Sequence, residues 1–498
     1  MRHGVVRATA GAGKTTTLIQ VAEELPRDLS ICFLAFGNVA KEELKKRLPK
    51  GVRSMTVHAL GRRTLINNLK RKVELKNDKY REYIREAMNE LGDFYNLPHD
   101  QFQVSREYLS ELVKFSRLNL TNTKSLKGLR ALAARYNLTP PRDDSVEDEL
   151  YSRVHTLVRR GVREALSVGI IDFIDMIYVP YVEALEPPRY DFVCIDEAQD
   201  YSALALEFTL RLVDEQSGGR LLFVGDPMQS IFGFAGADTD ALDRIIRRTN
   251  ATILPLNITY RCPTTHVELA RVIAPEIQAG PGAPKGKVYW IRDTVLEKWV
   301  RKGDLILSRA NAPLMSVCLQ LVRKGMRATV RGRDIAKQIS TIAKTVFHAG
   351  FNSYKRRLKA YEKSEIARLS YALRGSSNSG TVIALRVDLI RCLEYLVEHM
   401  LLTELSPSLD LLVSVTEATF REGVDAIELS TVHKAKGREK DRVFILRPRS
   451  MPVYYTRTAE AMRGEACLMF VALTRAKRDL VFVEATPDET SEDFAYEP

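Results

Sequence analysis

The sequence predicts an α/β protein with two domains in tandem, each interrupted by a mainly helical insertion. The chain has 498 residues, which is more than one ordinary hydrophobic core accommodates. Short apolar segments such as SICFLAF and FVCID recur near acidic or glycine-rich turns and amphipathic helices, as in a parallel sheet with helical crossovers. Two long, charged segments with helical periodicity separate these strand-rich parts, and we interpret them as insertions.

The expected boundaries follow these changes in character along the chain. The first domain is predicted at 1–61 and 189–274 with its insertion at 62–188, and the second at 275–336 and 421–498 with a small insertion at 337–420. The Pro- and Gly-rich segment at 275–287 is predicted to be a linker or an exposed loop.

The charge balance favours an anionic partner. Apolar residues make up 45% and charged residues 28% of the chain, and the formal net charge is +12. Nucleic acid is the commonest partner of a basic protein, although a solvated basic surface would account for the same net charge. A segment at 355–374 holds seven Lys or Arg against two Glu, which fits either a DNA-facing helix or a solvated one.

The cysteines and the N-terminus indicate an intracellular protein. Six cysteines are scattered at positions 32, 194, 262, 318, 392 and 467, with no metal-ligand spacing, and are expected to be small buried hydrophobes. Neither a signal peptide nor a membrane-length apolar run is found, so no membrane partner is expected. The predicted location is cytoplasmic, or nuclear if the source is eukaryotic.

A phosphate-binding loop is predicted at ATAGAGKTT, between a strand and a helix. Gly11 and Gly13 let the backbone curl so that its N–H groups face phosphate oxygens. Lys14 supplies a positive charge for the β- and γ-phosphates, and Thr15 supplies a hydroxyl for Mg²⁺. The loop departs from the usual pattern at its first glycine, which is Ala8 here. The expected nucleotide contacts of this loop are Ala10, Gly11, Ala12, Gly13, Lys14, Thr15 and Thr16.

The segment FVCIDEAQD supplies the acidic partner of this loop. Its apolar strand ends in Asp196 and Glu197, so that Asp196 is placed to hold Mg²⁺ and Glu197 to polarise an attacking water. An acidic strand end alone is often only a helix cap. Together with the phosphate loop it predicts hydrolysis of a nucleoside triphosphate.

The complete series of motifs resembles the UvrD/Rep-like superfamily-one DNA helicases. In chain order the motifs are ATAGAGKTT, AFGNVAKEELKKRL, TVHALG, GIIDFIDMI, CIDEAQD, VGDPMQSIFGFAGAD, LNITYRCP, ILSRAN, STVHKAKGREKDRVFI and FVALTRAKRDLVFV. The resemblance runs from near residue 1 to about residue 484. It implies two tandem RecA-like P-loop domains that use ATP and Mg²⁺.

The resemblance also implies further nucleotide contacts. They are Gln229, Tyr260, Arg261, Gly437, Glu439 and Arg475. Gln229 would sense the γ-phosphate, and Arg261 and Arg475 would reach it from the domain interface, where guanidinium groups neutralise charge during phosphoryl transfer. Tyr260 would stack on the adenine.

A track for single-stranded DNA follows from the same resemblance, since such binding needs aromatic platforms and phosphate donors. Core packing for Phe36 and Phe232, and structural hydrogen bonds for His58 and His433, stay open as alternatives. Phe234 is the preferred stacking platform. The expected DNA contacts are Phe36, Asn38, Thr56, His58, Phe232, Phe234, Arg309 and His433.

Three departures from the family pattern stand out. The glutamine-bearing segment that reads adenine upstream of the P-loop has no counterpart here, which leaves adenine selectivity open. The family's Trp-Arg pair is Phe234-Ala235, so stacking is kept and one cation is lost. The insertion at 337–420 is smaller than the family's fourth domain, which leaves duplex engagement and regulation open.

The expected function is an ATP-dependent helicase that moves on single-stranded DNA, 3′ to 5′ by resemblance, and unwinds duplex DNA. Replication, repair or recombination proteins are the expected partners. Two alternatives stay open. The first is a translocase that mainly displaces proteins from single strands, and the second is a P-loop subunit of a larger DNA-processing complex.

Overall fold

The computed structural model divides into two compact units. The first unit comprises Met1–Asn257 with Arg368–Ser379, and the second comprises Ile258–Ala367 with Gly380–Pro498. The structure describes residues 3–35, 37–136, 138, 140–231, 240–348, 350–372, 379–403, 408–420, 426–451 and 459–486.

Short strands alternate with helices in both units, as the sequence pattern predicts. The strands are β1 Gly4–Ala8, β2 Ile31–Ala35, β3 Arg53–Thr56, β4 Glu74–Leu75, β5 Ile170–Ile171, β6 Phe192–Ile195, β7 Arg220–Gly225, β8 Thr252–Leu256, β9 Ile258–Thr259, β10 Gln278–Ala279, β11 Lys287–Arg292, β12 Leu305–Ser308, β13 Ala328–Val330, β14 Ile427–Thr431, β15 Lys440–Leu446 and β16 Ala476–Glu484.

The α-helices connect these strands or form the insertions. They are α1 Lys14–Glu24, α2 Asn38–Arg47, α3 Val57–Leu69, α4 Lys79–Tyr95, α5 His99–Leu118, α6 Leu126–Arg135, α7 Asp144–Ser167, α8 Asp175–Val182, α9 Ala203–Leu210, α10 Ala241–Thr249, α11 Thr264–Arg271, α12 Leu296–Trp299, α13 Asn311–Arg323, α14 Arg333–Phe347, α15 Tyr354–Ala372, α16 Ser379–Leu402, α17 Leu409–Thr419 and α18 Ala459–Leu473.

The first unit is built on a six-stranded parallel sheet in the order β3-β2-β6-β7-β1-β8. Every residue of β2 is buried, as expected for a strand covered on both faces. Strands β6, β7 and β1 lie side by side, so their carboxyl ends meet at one stretch of the sheet edge. A mainly helical insertion, α3 to α8, lies in the chain between β3 and β6.

A buried ionic cluster joins the helices of this insertion. The Lys79 ammonium donates to Asp175 at 2.8 Å and to the carbonyl oxygens of Gly161 and Ile170. The Arg117 guanidinium contacts Asp175 at 3.0 Å and Asp172 at 2.8 Å. Because Lys79 and Asp175 are almost fully buried, each charge depends on its partners for solvation.

The second unit has its own six-stranded parallel sheet, in the order β11-β16-β15-β12-β14-β13. Its helical insertion, α14 to α17, lies in the chain between β13 and β14. Asp388 in α16 accepts hydrogen bonds from the backbone N–H groups of Asn311 and Ala312 at 2.9 and 2.7 Å, and so caps the first turn of α13. Two α/β units with helical insertions confirm the predicted fold class.

The division between the units differs from the predicted boundary at 274/275, because it falls between Asn257 and Ile258. The segment at 275–287, predicted to be a linker or an exposed loop, lies inside the second unit. There β10 pairs with β9, the Gly280 N–H donates to the Thr259 carbonyl, and the Thr264 N–H donates to the Pro284 carbonyl. Pro and Gly residues form a tight exposed turn here, and these backbone hydrogen bonds keep it within the unit.

The six cysteines are all buried and form no disulfide, in agreement with their interpretation as small hydrophobes. Burial raises the pKa of the Cys194 and Cys318 thiols, which keeps them protonated. Within the described residues, every helix is too short or too polar to cross a membrane.

Replacing Lys79 with Met is expected to destabilise the first unit. The change leaves two buried carboxylates with one arginine, and breaking a buried ion pair costs about 3–5 kcal/mol. Peptide-resolved hydrogen exchange of α4, α5, α7 and α8 would measure the loss in opening free energy. Lys72→Met is the matched control, since Lys72 is exposed. Equal exchange in the two variants would contradict a stabilising role for the cluster.

Candidate functional site

The P-loop of the first unit has the backbone that phosphate binding requires. Strand β1 ends at Ala8 and α1 begins at Lys14, so the loop leads directly into a helix N-terminus. Gly11 and Gly13 have φ angles of 69° and 81°. Those left-handed angles strain any residue with a Cβ, which explains why glycine stands at both positions. The loop therefore presents backbone N–H groups and the positive end of the helix dipole together.

The adjacent strands bring three carboxylates to this loop. Asp196 and Glu197 follow β6, and Asp226 follows β7. The Lys14 Nζ atom lies 3.3 Å from a Glu197 carboxylate oxygen. Two of the three acids are therefore the predicted ones, whereas Asp226 is an addition. Its signal in the sequence is an apolar strand that ends in an acidic residue, the same pattern that marks Asp196.

Opposed charges in this cluster shift the pKa values of its members. Burial acts to lower the pKa of Lys14, but Glu197, Asp226 and Asp196 together raise it above the usual value. Burial and the neighbouring Glu197 charge raise the pKa of Asp196 to about 6, although Lys14 opposes this shift. The crowding of carboxylates around one ammonium leaves an excess of negative charge that a cation would relieve.

The hydrogen bonds of Asp196 and Glu197 suit a metal-binding acid beside a water-orienting acid. The nearby Thr15 hydroxyl acts to lower the pKa of Asp196, so the two predicted metal ligands lie close together. An Asp196 carboxylate oxygen accepts from the Glu197 N–H at 2.9 Å. Glu197 has a φ of 52°, an unusual left-handed conformation for a residue with a side chain. Strain at this position is typical of a site where side-chain direction matters more than local stability.

Gln199 links the acidic groups and was not identified from the sequence. Its amide nitrogen donates to the Glu197 carboxylate, and its amide oxygen accepts from the Asp226 N–H at 3.0 Å. Asp226 in turn accepts from the Gln229 amide at 2.7 Å. A Cβ at Gly225 would lie 2.6 Å from the Gln199 amide oxygen, so this contact requires glycine. Glu197 and Gln229 are thus joined through Gln199 and Asp226.

Tyr260 and Arg261, which the predicted boundary placed in the first domain, lie in the second unit together with Gly437 and Glu439. The Arg261 guanidinium and the Lys477 ammonium both pair with the Glu439 carboxylate, the latter at 2.7 Å. Gly437 has a φ of 80°, which turns the chain just before Glu439. Tyr260 is 72% exposed, as a ring that stacks on a ligand must be.

Arg475 lies within the second unit with its side chain only 1% exposed. Its guanidinium donates to the Val471 carbonyl at 2.9 Å and to the Arg438 carbonyl at 3.1 Å. These bonds fix the side chain at the junction of α18 and β16. Any contact with a phosphate would have to replace them.

Two predicted DNA residues of the first unit flank the carboxyl end of β3. The Thr56 hydroxyl accepts from the Ala59 N–H at 3.1 Å and caps α3. The His58 ring stacks on Phe173 with 3.9 Å between centroids. Burial lowers the pKa of His58 to about 4, so the ring is neutral near pH 7. Phe173 is 51% exposed and adds an aromatic surface that was not singled out from the sequence.

Arg309 and His433, the DNA residues predicted on the second unit, follow β12 and β14. Arg309 makes a two-pronged ion pair with Glu465 of α18, at 2.7 and 2.9 Å. Burial, and next the Arg309 charge, lower the pKa of His433 to about 3. A neutral His433 can stack or share a hydrogen bond, but it adds no charge for phosphate.

The remaining predicted residues are only partly within the described residues. Asn38 is the first residue of α2. Thr16 shares a hydrogen bond of 3.4 Å with Arg47. Phe36, Phe232 and Phe234, the predicted aromatic platforms, lie outside the described residues.

Known proteins similar to this chain are DNA helicases. F-box DNA helicase protein 1 of Schizosaccharomyces pombe is 23% identical over 96% of this chain and 55% of that protein. F-box DNA helicase 1 of Gallus gallus is 22% identical over 96% of this chain and 47% of that protein. ATP-dependent DNA helicase PcrA of Leuconostoc citreum is 23% identical over 54% of this chain and 36% of that protein.

The extent of these matches sets what they show. The chain spans about half the length of the F-box helicases that it matches. The profile of the UvrD/REP helicase N-terminal domain matches residues 2–250, which is half of the chain and contains the whole P-loop and carboxylate cluster. This chain therefore belongs to the UvrD/REP helicase family.

Proposed function

We propose that this chain is an ATP-driven motor that moves 3′ to 5′ on single-stranded DNA and unwinds duplex DNA. The observation that carries the proposal is the cluster at the carboxyl ends of β1, β6 and β7. There the P-loop ammonium, two acids and two glutamines are joined by direct contacts. DNA is proposed as the substrate because the relatives are DNA helicases, and the strand direction is proposed from the resemblance to the family.

The residues at this edge fit a Mg²⁺ ion. Thr15 and Asp196 place a hydroxyl and a carboxylate oxygen together, and hard divalent cations prefer oxygen ligands. Glu197 and Asp226 add negative charge around them. When bound with ATP, the ion would neutralise phosphate oxygens during phosphoryl transfer.

Lys14 and Glu197 neutralise each other in this structure, and ATP would separate them. Phosphate oxygens entering the P-loop attract Lys14, which leaves the Glu197 carboxylate available to a water molecule. The water oxygen then attacks the γ-phosphorus, and Glu197 accepts the proton that this water releases. The bond between the γ-phosphorus and the oxygen that bridges it to the β-phosphate breaks. Gln199 keeps Glu197 oriented while this exchange takes place.

Coupling to the second unit is part of the proposal. The family assigns Arg261 and Arg475 to the γ-phosphate. In this structure Arg261 is paired with Glu439, and Arg475 donates to backbone carbonyls. Both guanidiniums would therefore have to exchange their present partners during the cycle. That exchange would link the presence of the γ-phosphate to a rearrangement of the second unit.

Two substitutions at the P-loop cluster are expected to separate binding from hydrolysis. Lys14→Ala should abolish DNA-stimulated ATP turnover and weaken ATP binding. Glu197→Gln should keep ATP binding and lower kcat by about 10²- to 10⁴-fold, since it removes only the proton acceptor. Turnover with and without single-stranded DNA, and binding of a fluorescent ATP analogue, measure both effects. Lys50→Ala, at an exposed lysine, should change neither. Unaltered turnover in Glu197→Gln would refute the assigned base.

Gln199→Leu is expected to lower kcat by about tenfold or more, a cost of about 1.4 kcal/mol in the transition state. The change removes both hydrogen bonds that hold Glu197 and Asp226, while it keeps a buried side chain of similar size. The KM for ATP should change much less than kcat, because Gln199 does not touch the P-loop lysine. Gln20→Leu, at an exposed position of α1, is the matched control. If the free energy of unfolding falls by as much as the free energy that corresponds to the loss in kcat, the role of Gln199 is purely structural.

Strand direction is tested with single-stranded oligonucleotides that carry a fluorophore at one end. A 3′ to 5′ motor should give an arrival signal that lags with length only when the fluorophore is at the 5′ end. The opposite pattern would reverse the proposed polarity. Tailed duplexes, compared with single strands coated by a DNA-binding protein, then separate unwinding from protein displacement. If DNA stimulates no ATPase without another protein, the subunit alternative is favoured.

A further inference from the structure

A cavity of about 320 Å³ lies in the second unit, at the edge where its parallel strands begin. Arg442 and Asp479 are cross-strand partners near the amino ends of β15 and β16, and Lys287 opens the neighbouring strand β11. Arg309 and His433, the predicted DNA contacts, follow the opposite ends of β12 and β14. The cavity is also distinct from the nucleotide cluster, because Arg261, Glu439 and Arg475 do not line it.

The lining of the cavity is strongly cationic. Lys298, Arg301, Arg442 and Arg478 face a single lining carboxylate, Asp479. Within the described part of the chain, Lys298 and Arg301 have no carboxylate within ion-pair distance. A concave surface lined by one sign of charge focuses the electrostatic field and raises the local concentration of anions.

Arg442 is held in place by the protein itself. Its guanidinium donates to the Trp299 carbonyl at 2.6 Å and lies 3.4 Å from Asp304 and 3.8 Å from Asp479. Asp304 is fixed in turn, since it accepts from the Arg301 N–H at 2.7 Å. A guanidinium oriented from several sides loses little freedom when it binds an anion, which is how pre-organised sites gain affinity.

Two aromatic rings complete the cavity wall. Tyr289 and Trp299 meet edge to face, with 5.0 Å between their centroids. Both line the same cavity as the four cations. An anion alone needs no aromatic wall, whereas a flat ring attached to a phosphate would use both surfaces. The volume is at the lower end of the range for ligand sites, about 300–1,000 Å³, and suits one small unit.

We propose that this cavity binds one nucleotide unit, with its phosphate among Lys298, Arg301, Arg442 and Arg478 and its base against Tyr289 and Trp299. The nucleotide comes either from a free mononucleotide or from a DNA strand, since both offer the same phosphate and base. The site uses residues of the second unit alone. It is therefore independent of the proposed hydrolysis at the P-loop and adds a nucleotide contact outside the predicted track.

The chain offers a fluorescent reporter for this site, because its two tryptophans are Trp290 and Trp299. In a Trp290→Phe chain, Trp299 in the cavity wall is the only emitter. Lys14→Ala is added to weaken binding at the P-loop. Titration with dAMP, with a single-stranded oligonucleotide and with inorganic phosphate, each against the full chain, then compares the three probes.

The proposal expects dAMP or the oligonucleotide to change Trp299 emission, and to bind more tightly than inorganic phosphate. Lys298→Gln with Arg301→Gln should weaken that binding by at least about tenfold, because two charge-assisted contacts are lost. Both side chains are exposed, so the fold should be kept. Lys285→Gln with Lys337→Gln removes the same charge at exposed positions of the second unit and should have little effect.

The outcomes distinguish a free mononucleotide from a DNA strand, and they distinguish the cavity site from the proposed motor function. Binding of dAMP assigns the site to a free mononucleotide, and a response to the oligonucleotide alone assigns it to a DNA strand. No response to either probe, equal affinity for inorganic phosphate, or equal loss in the two double variants would overturn the proposal. Lys298→Gln with Arg301→Gln, on an otherwise unaltered chain, should keep its basal ATPase. If the chain without substitutions shows no ATP turnover, that result would count against the proposed motor and not against this site.

Discussion

The side-chain amide of Gln199 joins the segment after β6 to the segment after β7, and the candidate site depends on this link. The amide can satisfy both neighbours because it has a donor end for Glu197 and an acceptor end for the Asp226 N–H. A carboxylate or an apolar side chain could serve only one of them or neither. Packing against Gly225 keeps the amide close to the strand end. Gln199 therefore fixes Glu197, the proposed base, relative to the start of the segment that follows β7.

The second unit uses a single carboxylate in a comparable way. Glu439 pairs with both Arg261 and Lys477, so two cations share one negative charge at this surface. A phosphate that approaches these cations competes with Glu439, and the strength of binding depends on the difference between the two anions. This arrangement favours exchange over permanent capture, which suits a cycle in which phosphate is bound and released. Such exchange is a property of the pairing and does not depend on the direction of movement along DNA.

The sequence was sufficient for local features and insufficient for those that depend on distant contacts. Periodicity and glycine placement predict both sheets, the phosphate loop and the acids after β6. The Arg309–Glu465 pair joins residues 156 positions apart, and no local pattern indicates it. The same holds for Gln199, whose partners are identified only when β6 and β7 become neighbours. The predicted boundary at 274/275 precedes a Pro- and Gly-rich turn, and the backbone hydrogen bonds that keep this turn within the second unit are not evident from the sequence.

The net charge of +12 raises the question of which cations are available to an anionic partner. The place of an arginine in a family motif does not show whether it is available, because Arg309 is paired with Glu465 and Arg475 is buried among carbonyl groups. These residues satisfy local structure first, and an anion must displace a partner to reach them. Lys298 and Arg301 are exposed and lie beside a cavity. Under the proposed function, such exposed residues would attract an anion at long range, and the motif arginines would act at short range once a phosphate has displaced their partners.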